Sequence, residues 1–446
     1  MGHIVFAAPS IRRFHLHERL RRDLLRRDHR VSVLCCDRTS FTFWREQVAA
    51  VDLLATTRSD APDANMQTLL QQVTAGDERR RLARLLPAAT RWLERERPDL
   101  VLFHGERSAT TAALQFAART VGCPVLWTGD GLLPHTMQVD DRGLDADAGS
   151  RRWQARDYRV VAPDDALLDA SLAHALSGGE PLALPRAEVH VPMVSRRLLD
   201  ALCYGLEGRF AASLHALHGW QAAFADVTPR PPVVPVLDLR PPFVAVLLQA
   251  DDDPRLVHDG QPAPSPAELV QQALAAAARL DPDATVVAAL PPRCTERRWG
   301  PQALAGAAGD RVRIVPAGGA AVAAATAAAV VTVNHPMATA ALLAGTPVLH
   351  TGRALYELPG VTHATTPEGL PDALAAASGR DRPALRRRLL SWHLRHGHVW
   401  CSPTAPNHNG MLGLVEAVEK RLAAAGGAES RPLPYRPGPT WPLATS

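Results

Sequence analysis

Two acidic positions in this sequence directly follow runs of apolar residues, and carboxylates placed there can do chemistry. The first is Asp130, which has a glycine on either side of it. The second is a run of three aspartates, from Asp251 to Asp253. A carboxylate can serve as a nucleophile or as a general acid or base, so both positions are candidate catalytic sites. A capped turn at Asp130 and a solvated loop at the aspartate run are the simpler alternatives.

A third candidate is the junction between an apolar run and a small-residue segment at Asn334 and His335. Pro336 follows, and proline is a favoured first residue of a helix. The free N–H groups of a helix start, in a segment that also carries Thr339, suit a phosphate. The sequence therefore predicts phosphate binding with His335 as an added hydrogen-bonding group, and a simple capping role for Asn334 is the alternative.

A fourth candidate is the segment that begins at Gly352 and follows the next apolar run. Arg353 can pair with a phosphate or with the carboxylate of a sugar. Tyr356 can stack on a base. An ordinary surface loop accounts for the same residues, so this interpretation depends on the neighbouring candidates.

Strands that alternate with helices must position these residues. Apolar runs predict strands at 4–8, 31–35, 100–104, 124–127, 243–248, 285–290, 312–315, 329–333 and 348–350. Periodic segments predict helices at 16–27, 77–96, 108–119, 267–279, 337–343, 383–396 and 410–425. This alternation is typical of parallel sheets with crossover helices, in which ligands bind beyond the carboxyl ends of the strands. The segment between Asp37 and Trp44 is expected to be a polar and aromatic loop.

The fold class is therefore α/β, with two Rossmann-like domains that face each other across a cleft. We expect a first domain over 1–160, a helical and irregular insert with a proline-rich linker over 161–235, and a second domain over 236–380. Helices are expected over 381–425 and a disordered tail over 426–446. Architecture of this kind occurs in many glycosyltransferases, where it is called GT-B, but it does not by itself give a function.

Composition excludes several classes of protein. The chain has 446 residues, of which 46% are hydrophobic and 21% charged, as in a soluble globular protein. No apolar run is long enough to span a membrane, and we expect neither a signal peptide nor a disulfide framework from its six cysteines. These features favour the cytoplasm. No resident cofactor, metal site or nucleic-acid partner is expected, and the histidines between His393 and His398 match no zinc motif.

Arginines crowd the first predicted helix of a chain whose net charge is +4. A basic helix of this kind can lie on anionic lipid headgroups. It can equally be a solvated outer face, and the sequence leaves both possibilities open.

The ordered set of segments resembles the capsule polysaccharide synthesis family, bacterial β-Kdo transferases of capsule assembly and export. Quoted as they stand here, the matching segments are Asp130–Pro134 with Asp141–Asp145, Leu248–Gln249 with Asp253, Asn334–Pro336 with Gly345–Val348, and Gly352–Thr362. The opening of the chain, from Ile4 to Trp44, is similar to that family as well. Together these segments span about residues 1 to 400.

The resemblance implies that Kdo is transferred from CMP-β-Kdo to a lipid or lipid-linked acceptor with retention. On that basis Asp253, with Asp251 beside it, is the nucleophile position, and Asp130 is the acid/base position. The implied residues fall into two groups. Those on the nucleotide-sugar side are Gln249, Arg293, Asn334, His335, Thr339, Gly352, Arg353 and Tyr356. Those on the acceptor side are Asp37, Trp44 and Gly131.

Two positions depart from the family pattern. The family usually has Glu where Asp130 stands, and its Lys-Pro-His-Pro segment aligns with residues Ala289 to Pro292, which lack the histidine. His335 or Arg293 is the candidate replacement. The alternatives are a transferase of the same fold with another nucleotide sugar, or a catalytically degenerate partner in capsule assembly or export. On the favoured interpretation the protein works on the inner face of the inner membrane, as a peripheral protein.

Overall fold

The computed structural model describes residues 1–54, 76–105, 109–177, 242–250, 253–260, 264–291, 309–403 and 406–426. The predicted proline-rich linker, most of the predicted tail, Asp251 and Arg293 lie outside these residues.

The first sheet contains seven strands. They are β1 (His3–Ala7), β2 (Arg30–Cys35), β3 (Val51–Leu53), β4 (Leu100–His104), β5 (Val125–Asp130), β6 (Met137–Asp140) and, from the end of the chain, β13 (His398–Val399). Their order across the sheet is β13-β6-β5-β4-β1-β2-β3. The five neighbouring strands β5, β4, β1, β2 and β3 run parallel, whereas β6 pairs antiparallel with both β5 and β13.

The second sheet contains six strands, all parallel. They are β7 (Phe243–Leu247), β8 (Thr285–Ala289), β9 (Val312–Val315), β10 (Ala329–Thr332), β11 (Val348–His350) and β12 (His363–Ala364). Their order is β12-β11-β10-β7-β8-β9. Every residue of β7 and β10 is buried, as expected for strands covered on both faces.

Helices cover both sheets. They are α1 (Phe14–Leu25), α2 (Arg38–Gln47), α3 (Gly76–Glu96), α4 (Ala109–Thr120), α5 (Asp165–Leu176), α6 (Pro254–Asp259), α7 (Pro266–Leu280), α8 (Ala320–Thr326), α9 (Ala338–Ala344), α10 (Leu370–Arg380), α11 (Pro383–Trp392) and α12 (His408–Gly426). Local chemistry fixes several of their starts. Ser265 and Glu268, for example, form a reciprocal capping box at the start of α7. The α/β class and the two Rossmann-like units predicted from the sequence are confirmed.

The segment from Asp37 to Trp44 is a helix, so the predicted loop is wrong. The Asp37 carboxylate accepts a hydrogen bond from the N–H of Ser40 at 2.8 Å and caps α2. Trp44 is fully buried among aromatic residues of α1 and α2. The burial of these large rings outweighs the low helix propensity of the Thr- and Phe-rich sequence.

We call the part of the chain built on the seven-stranded sheet the first unit and the part built on the six-stranded sheet the second unit. Two segments cross between these units. Residues between Leu132 and Ala175 share a hydrophobic core with the second sheet, and α5 packs on α9 and α11. In the other direction, α12 returns to the first unit and packs against α1. Each unit therefore contributes residues to a core that it shares with the other part of the chain.

The arginines of α1 are largely engaged with neighbouring groups. Glu18 receives hydrogen bonds from both Arg21 and Arg22, Arg26 pairs with Asp23, and Arg27 pairs with Glu419. No helix within the described ranges has the length and apolar character needed to cross a membrane.

Candidate functional site

The candidate site lies where the carboxyl ends of β5, β7 and β10 approach one another. A small cavity there has a volume of about 10 Å³, which is room for one water molecule. Its lining comes from both units and consists of Leu132, Asp145, Arg255, Asn334, Pro336, Arg353, Ala354, Leu355 and Tyr356. Four of the segments singled out in the sequence thus meet at one place.

A buried amide pair forms the base of the site. Gln249 donates from Nε2 to Oδ1 of Asn334 at 2.8 Å, and its Oε1 accepts from the backbone N–H of Asn334 at 3.1 Å. Both side chains are almost completely buried. The Asn334 amide also donates to the carbonyls of Arg255 at 2.8 Å and Arg353 at 3.1 Å. Asn334 therefore ties three strand ends together and does not cap α9.

Asp253 is attached to this amide pair. Its Oδ2 accepts from Gln249 Nε2 at 3.2 Å, and its Oδ1 accepts from the N–H of Arg255 at 2.8 Å. Asp253 thereby caps α6, and Pro254 is the first residue of that helix. The carboxylate is held in one orientation with one oxygen on each partner.

His335 is half-buried and its hydrogen bonds define its tautomer. Nδ1 accepts from the N–H of Met337 at 3.0 Å, so the proton of the neutral ring is on Nε2. Burial lowers the pKa of His335 to about 4, although the nearby Asp253 carboxylate opposes this shift. At neutral pH the ring is uncharged and offers a hydrogen-bond donor at Nε2.

Arg255 connects the two units and was not identified from the sequence. Its Nε donates to Oδ1 of Asp145 at 2.7 Å, and its Nη2 donates to the backbone carbonyl of Asp130 at 3.0 Å. The carboxylates of Asp145 and Asp253 raise its pKa, and they overcome the opposing effect of burial. The available signal was its position, two residues after Asp253 at a strand-to-helix junction.

Asp130 is the last residue of β5 and its side chain is 56% exposed. Arg13 approaches both carboxylate oxygens, at 3.2 and 3.3 Å. Gly131 is required by packing, because a Cβ there would lie 2.2 Å from Oγ1 of Thr136. The exposed carboxylate of Asp130 and the guanidinium of Arg13 are therefore the functional groups at this position.

Arg353 reaches from the second unit toward the first. Its Nη2 donates to the carbonyl of Ala146 at 3.1 Å and lies 3.3 Å from Oδ1 of Asp147. Its Nη1 lies 3.6 Å from the buried Asp259. Gly352, the residue before it, has no space for a side chain, because a Cβ would lie 2.7 Å from Val333.

Tyr356 is buried, and its hydroxyl donates to the carbonyl of His335 at 3.0 Å. It supports His335 and does not present a ring for stacking on a base, which corrects that expectation. Thr339 is fully buried, and its hydroxyl has no hydrogen-bond partner among the described residues.

The loop that follows β6 is built around Asp140. This carboxylate accepts hydrogen bonds from the N–H groups of Arg142, Gly143 and Gly149 at 2.7 to 3.1 Å. Burial raises its pKa to about 6, against the opposing effect of these donors. The ordered loop places Asp145 in the cavity lining.

The acceptor-side residues Asp37 and Trp44 do not join the cavity lining. Asp37 caps α2, and Trp44 lies in the core of the first unit, so neither contacts the residues around Asp253. Within the described ranges, no group of His, Cys, Asp and Glu side chains is arranged to hold a metal ion.

Comparison with known protein families finds one family model that matches part of the chain. Residues 236–378 match the model described as capsule polysaccharide biosynthesis protein. A search of curated protein sequences finds no match.

The similar solved structures include three whose sequence identity to this chain and TM-score are both low. A KpsC β-Kdo 2,7 transferase from Thermosulfurimonas dismutans is 13% identical, with 87% of this chain and 97% of that chain covered and a TM-score of 0.38. The MnaA–UDP complex of S. aureus is 12% identical, with 95% of this chain and 97% of that chain covered and a TM-score of 0.34. The spinosyn rhamnosyltransferase SpnG is 15% identical, with 94% of this chain and 100% of that chain covered and a TM-score of 0.36. At these TM-scores the similarities carry no argument about activity.

Proposed function

We propose that this chain is a member of the capsule polysaccharide biosynthesis family, whose model matches residues 236–378, and that it transfers Kdo from CMP-β-Kdo to a lipid or lipid-linked acceptor with retention. One observation carries the proposal. The hydrogen-bonded set of Gln249, Asp253 and Asn334 in the second unit is joined through Arg255 to Asp130 in the first.

The two carboxylates suit the two steps of a retaining transfer. In the first step, an oxygen of Asp253 attacks the anomeric carbon of the donor, and the bond to the CMP phosphate breaks with release of CMP. In the second step, Asp130 accepts the proton of the acceptor hydroxyl, whose oxygen attacks the same carbon and displaces the Asp253 carboxylate. Two inversions give net retention, and both carboxylates are regenerated once Asp130 releases its proton.

The contacts of Asp253 fit a nucleophile that is oriented in advance. Gln249 and the N–H of Arg255 hold one oxygen each, so little reorganisation is needed when the donor arrives. Each oxygen retains a lone pair for attack, because a carboxylate oxygen can accept more than one hydrogen bond.

His335 is the candidate replacement for the family histidine that is absent near Pro291. Its Nε2–H is a neutral donor at the start of α9, beside Asp253. In this proposal it donates to an oxygen of the donor phosphate, while Arg353 neutralises charge on the donor. The acceptor, contact with the export machinery and a position on the inner membrane face belong to the same proposal.

The test is incubation of the purified chain with CMP-β-Kdo and a lysophosphatidylglycerol-type acceptor, with the product analysed by mass spectrometry. We expect a product that is heavier by one Kdo residue and release of CMP. Absence of both product and CMP binding would eliminate this function. Product formation from another nucleotide sugar alone would transfer the proposal to that donor.

A non-catalytic role in capsule assembly or export is the second candidate. It is favoured by the small volume of the cavity, about 10 Å³, and by the existing partners of both carboxylates. It predicts that variants of Asp253 retain every biological function of the chain. Loss of capsule in cells that carry Asp253→Asn would exclude it.

A further inference from the structure

Two arginines of the second unit, Arg255 and Arg353, line the cavity, and both are engaged by one loop of the first unit, residues 140–149. Arg255 is held by Asp145 at 2.7 Å. Arg353 is held by the carbonyl of Ala146 at 3.1 Å and by Asp147 at 3.3 Å. The cationic lining of the cavity is thus covered by carboxylates of the same chain.

This loop is held by internal hydrogen bonds and contains one residue in a strained conformation. The Asp140 carboxylate organises its backbone through three N–H donors, and the N–H of Asp145 donates to Oε1 of Gln138 at 3.0 Å. Asp145 itself has a φ of 52°, in the left-handed region that non-glycine residues seldom adopt. A conformation of this kind costs on the order of 1 kcal/mol and persists only where the surroundings impose it.

The guanidinium group binds carboxylates and phosphates through the same planar donor geometry. Asp145, which lines the cavity, occupies Arg255, and the half-exposed Asp147 occupies one amino group of Arg353, so each carboxylate takes a donor that an anionic ligand would need. Asp259 lies 3.6 Å from the other amino group of Arg353 and belongs to the second unit, so it stays beside Arg353 when the loop moves.

We infer that Arg255 and Arg353 form a binding site for the phosphate and carboxylate groups of a nucleotide-activated acidic sugar, and that Asp145 and Asp147 occupy this site as internal competitors until the ligand displaces them. The inference rests on the proposed function only for the identity of the anion. Binding then requires the loop to leave the cavity, and the two carboxylates limit the affinity for the donor.

An internal competitor and a purely structural ion pair have different consequences. Removal of a competing carboxylate lowers the stability of the chain with its loop in the cavity but increases the affinity for an external anion. Removal of a purely structural carboxylate weakens the chain and leaves anion binding unchanged or weaker. Asn is the replacement of choice at Asp145, because it tolerates the left-handed backbone as well as Asp does.

The experiment is isothermal titration of the full chain with CMP and, separately, with inorganic pyrophosphate. The double variant Asp145→Asn/Asp147→Asn is expected to bind both anions about tenfold more tightly than the original chain, and Arg353→Met about tenfold more weakly. Asp165→Asn is the matched control. It removes a carboxylate that pairs with Arg387 outside the cavity lining, so the affinity is expected to change by less than about twofold.

The outcomes separate this inference from the proposed function. Unchanged or weaker pyrophosphate binding by the double variant would overturn the inference. Tighter pyrophosphate binding without any CMP binding would support the anion site and reject the CMP-dependent activity. If the double variant does not fold, Asp147→Asn alone provides the same test, because the side chain of Asp147 is 47% exposed and its replacement leaves the Asp145 contact intact.

Discussion

Asp130 and Asp253 both follow buried strands at the same cleft, yet their surroundings differ. Asp253 is anchored by a buried amide and by a backbone N–H, and its position is fixed by the core of the second unit. Asp130 has a side chain that is more than half exposed, its carboxylate pairs with Arg13, and its backbone carbonyl accepts from Arg255. The Asp253 side of the cleft is therefore preorganised, whereas the Asp130 side leaves its carboxylate accessible to different ligands.

The largest expected effect follows from Asp253→Asn. Asn is as good a helix cap as Asp, so α6 should persist, but an amide cannot act as the nucleophile. We expect the transfer rate to fall at least about a thousandfold, with unfolding free energy changed by less than about 1 kcal/mol. Steady-state kinetics and denaturant unfolding provide the two measurements.

Asp164→Asn is the matched control for this variant. Asp164 also caps a helix, through the N–H of Leu167 at 3.1 Å, but its other hydrogen-bond partners are Ser391 and Arg395 rather than the residues around Gln249 and Asn334. Its replacement should leave the transfer rate unchanged. A similar rate in the Asp253 variant and the control would move the nucleophile elsewhere, with Asp251 the next position to test.

A smaller effect is expected at Asp130. Asp130→Asn removes a general base, which is worth about a hundredfold or more in rate. Because the Arg13 pair is exposed, its loss should cost less than about 1 kcal/mol of stability. Asp130→Glu restores the side chain that the resembled family uses, and it should retain far more activity than Asn.

Asp23→Asn is the control for that variant, because Asp23 forms an exposed pair with Arg26 on α1. Equal activities of Asp130→Asn and Asp23→Asn would show that Asp130 takes no part in transfer. The comparison between the two cleft carboxylates would then reduce to Asp253 alone.

Much of this comparison was accessible from the sequence, because buried strands have a clear signature. The predicted strands at 100–104, 312–315 and 348–350 agree with β4, β9 and β11 to the residue. Short apolar runs between polar segments suffice where both faces of a sheet are covered. Among the described candidates, Asp130, Asp253 and Asn334 accordingly lie at or just beyond the carboxyl ends of β5, β7 and β10.

Features that depend on distant partners were not predicted. The short strands β6 and β13 pair antiparallel, and the second comes from the end of the chain. Arg255 gains its position from Asp145, 110 residues earlier. Neither relation leaves a local pattern in the sequence.

Aromatic residues misled for a different reason. The sequence predicts ligand contacts for Trp44 and Tyr356, but both lie in hydrophobic cores. A large ring gains more free energy from burial than from exposure to solvent at a cleft, so core packing is its more frequent role.

The amide pair of Gln249 and Asn334 beneath Asp253 allows the firmness of this side of the cleft to be measured through stability. Asn334→Ala removes the buried partner of Gln249 and deprives the part-buried carbonyls of Arg255 and Arg353 of this donor. We expect a loss of about 2 to 3 kcal/mol in the free energy of unfolding. Asn407→Ala, at an exposed residue that accepts from the N–H of Gly410, should cost about 1 kcal/mol or less. Equal losses would show that the second side of the cleft is no better fixed than the surface.

The smallest effect concerns the first unit and depends on pH. His104 lies at the end of β4 with its Nδ1 bonded to Oγ1 of Thr128 at 2.8 Å, and burial, helped by the charge of Arg13, lowers its pKa to about 3. The unfolded chain therefore binds a proton at His104 below about pH 6.5 that the folded chain does not, so stability falls as the pH drops through this region.

His104→Asn retains a donor for Thr128 but cannot take up this proton. Between pH 7.5 and 5.5 the original chain should lose about 1.4 kcal/mol more stability than the variant. Other titrating groups, including Asp140 and the adjacent His17, contribute to both proteins and largely cancel in the difference. Denaturant unfolding at the two pH values measures it. Equal losses of stability in the two proteins would mean that His104 takes up a proton in the folded chain. The region around His104, on the Asp130 side of the cleft, would then be as open to solvent as Asp130 itself.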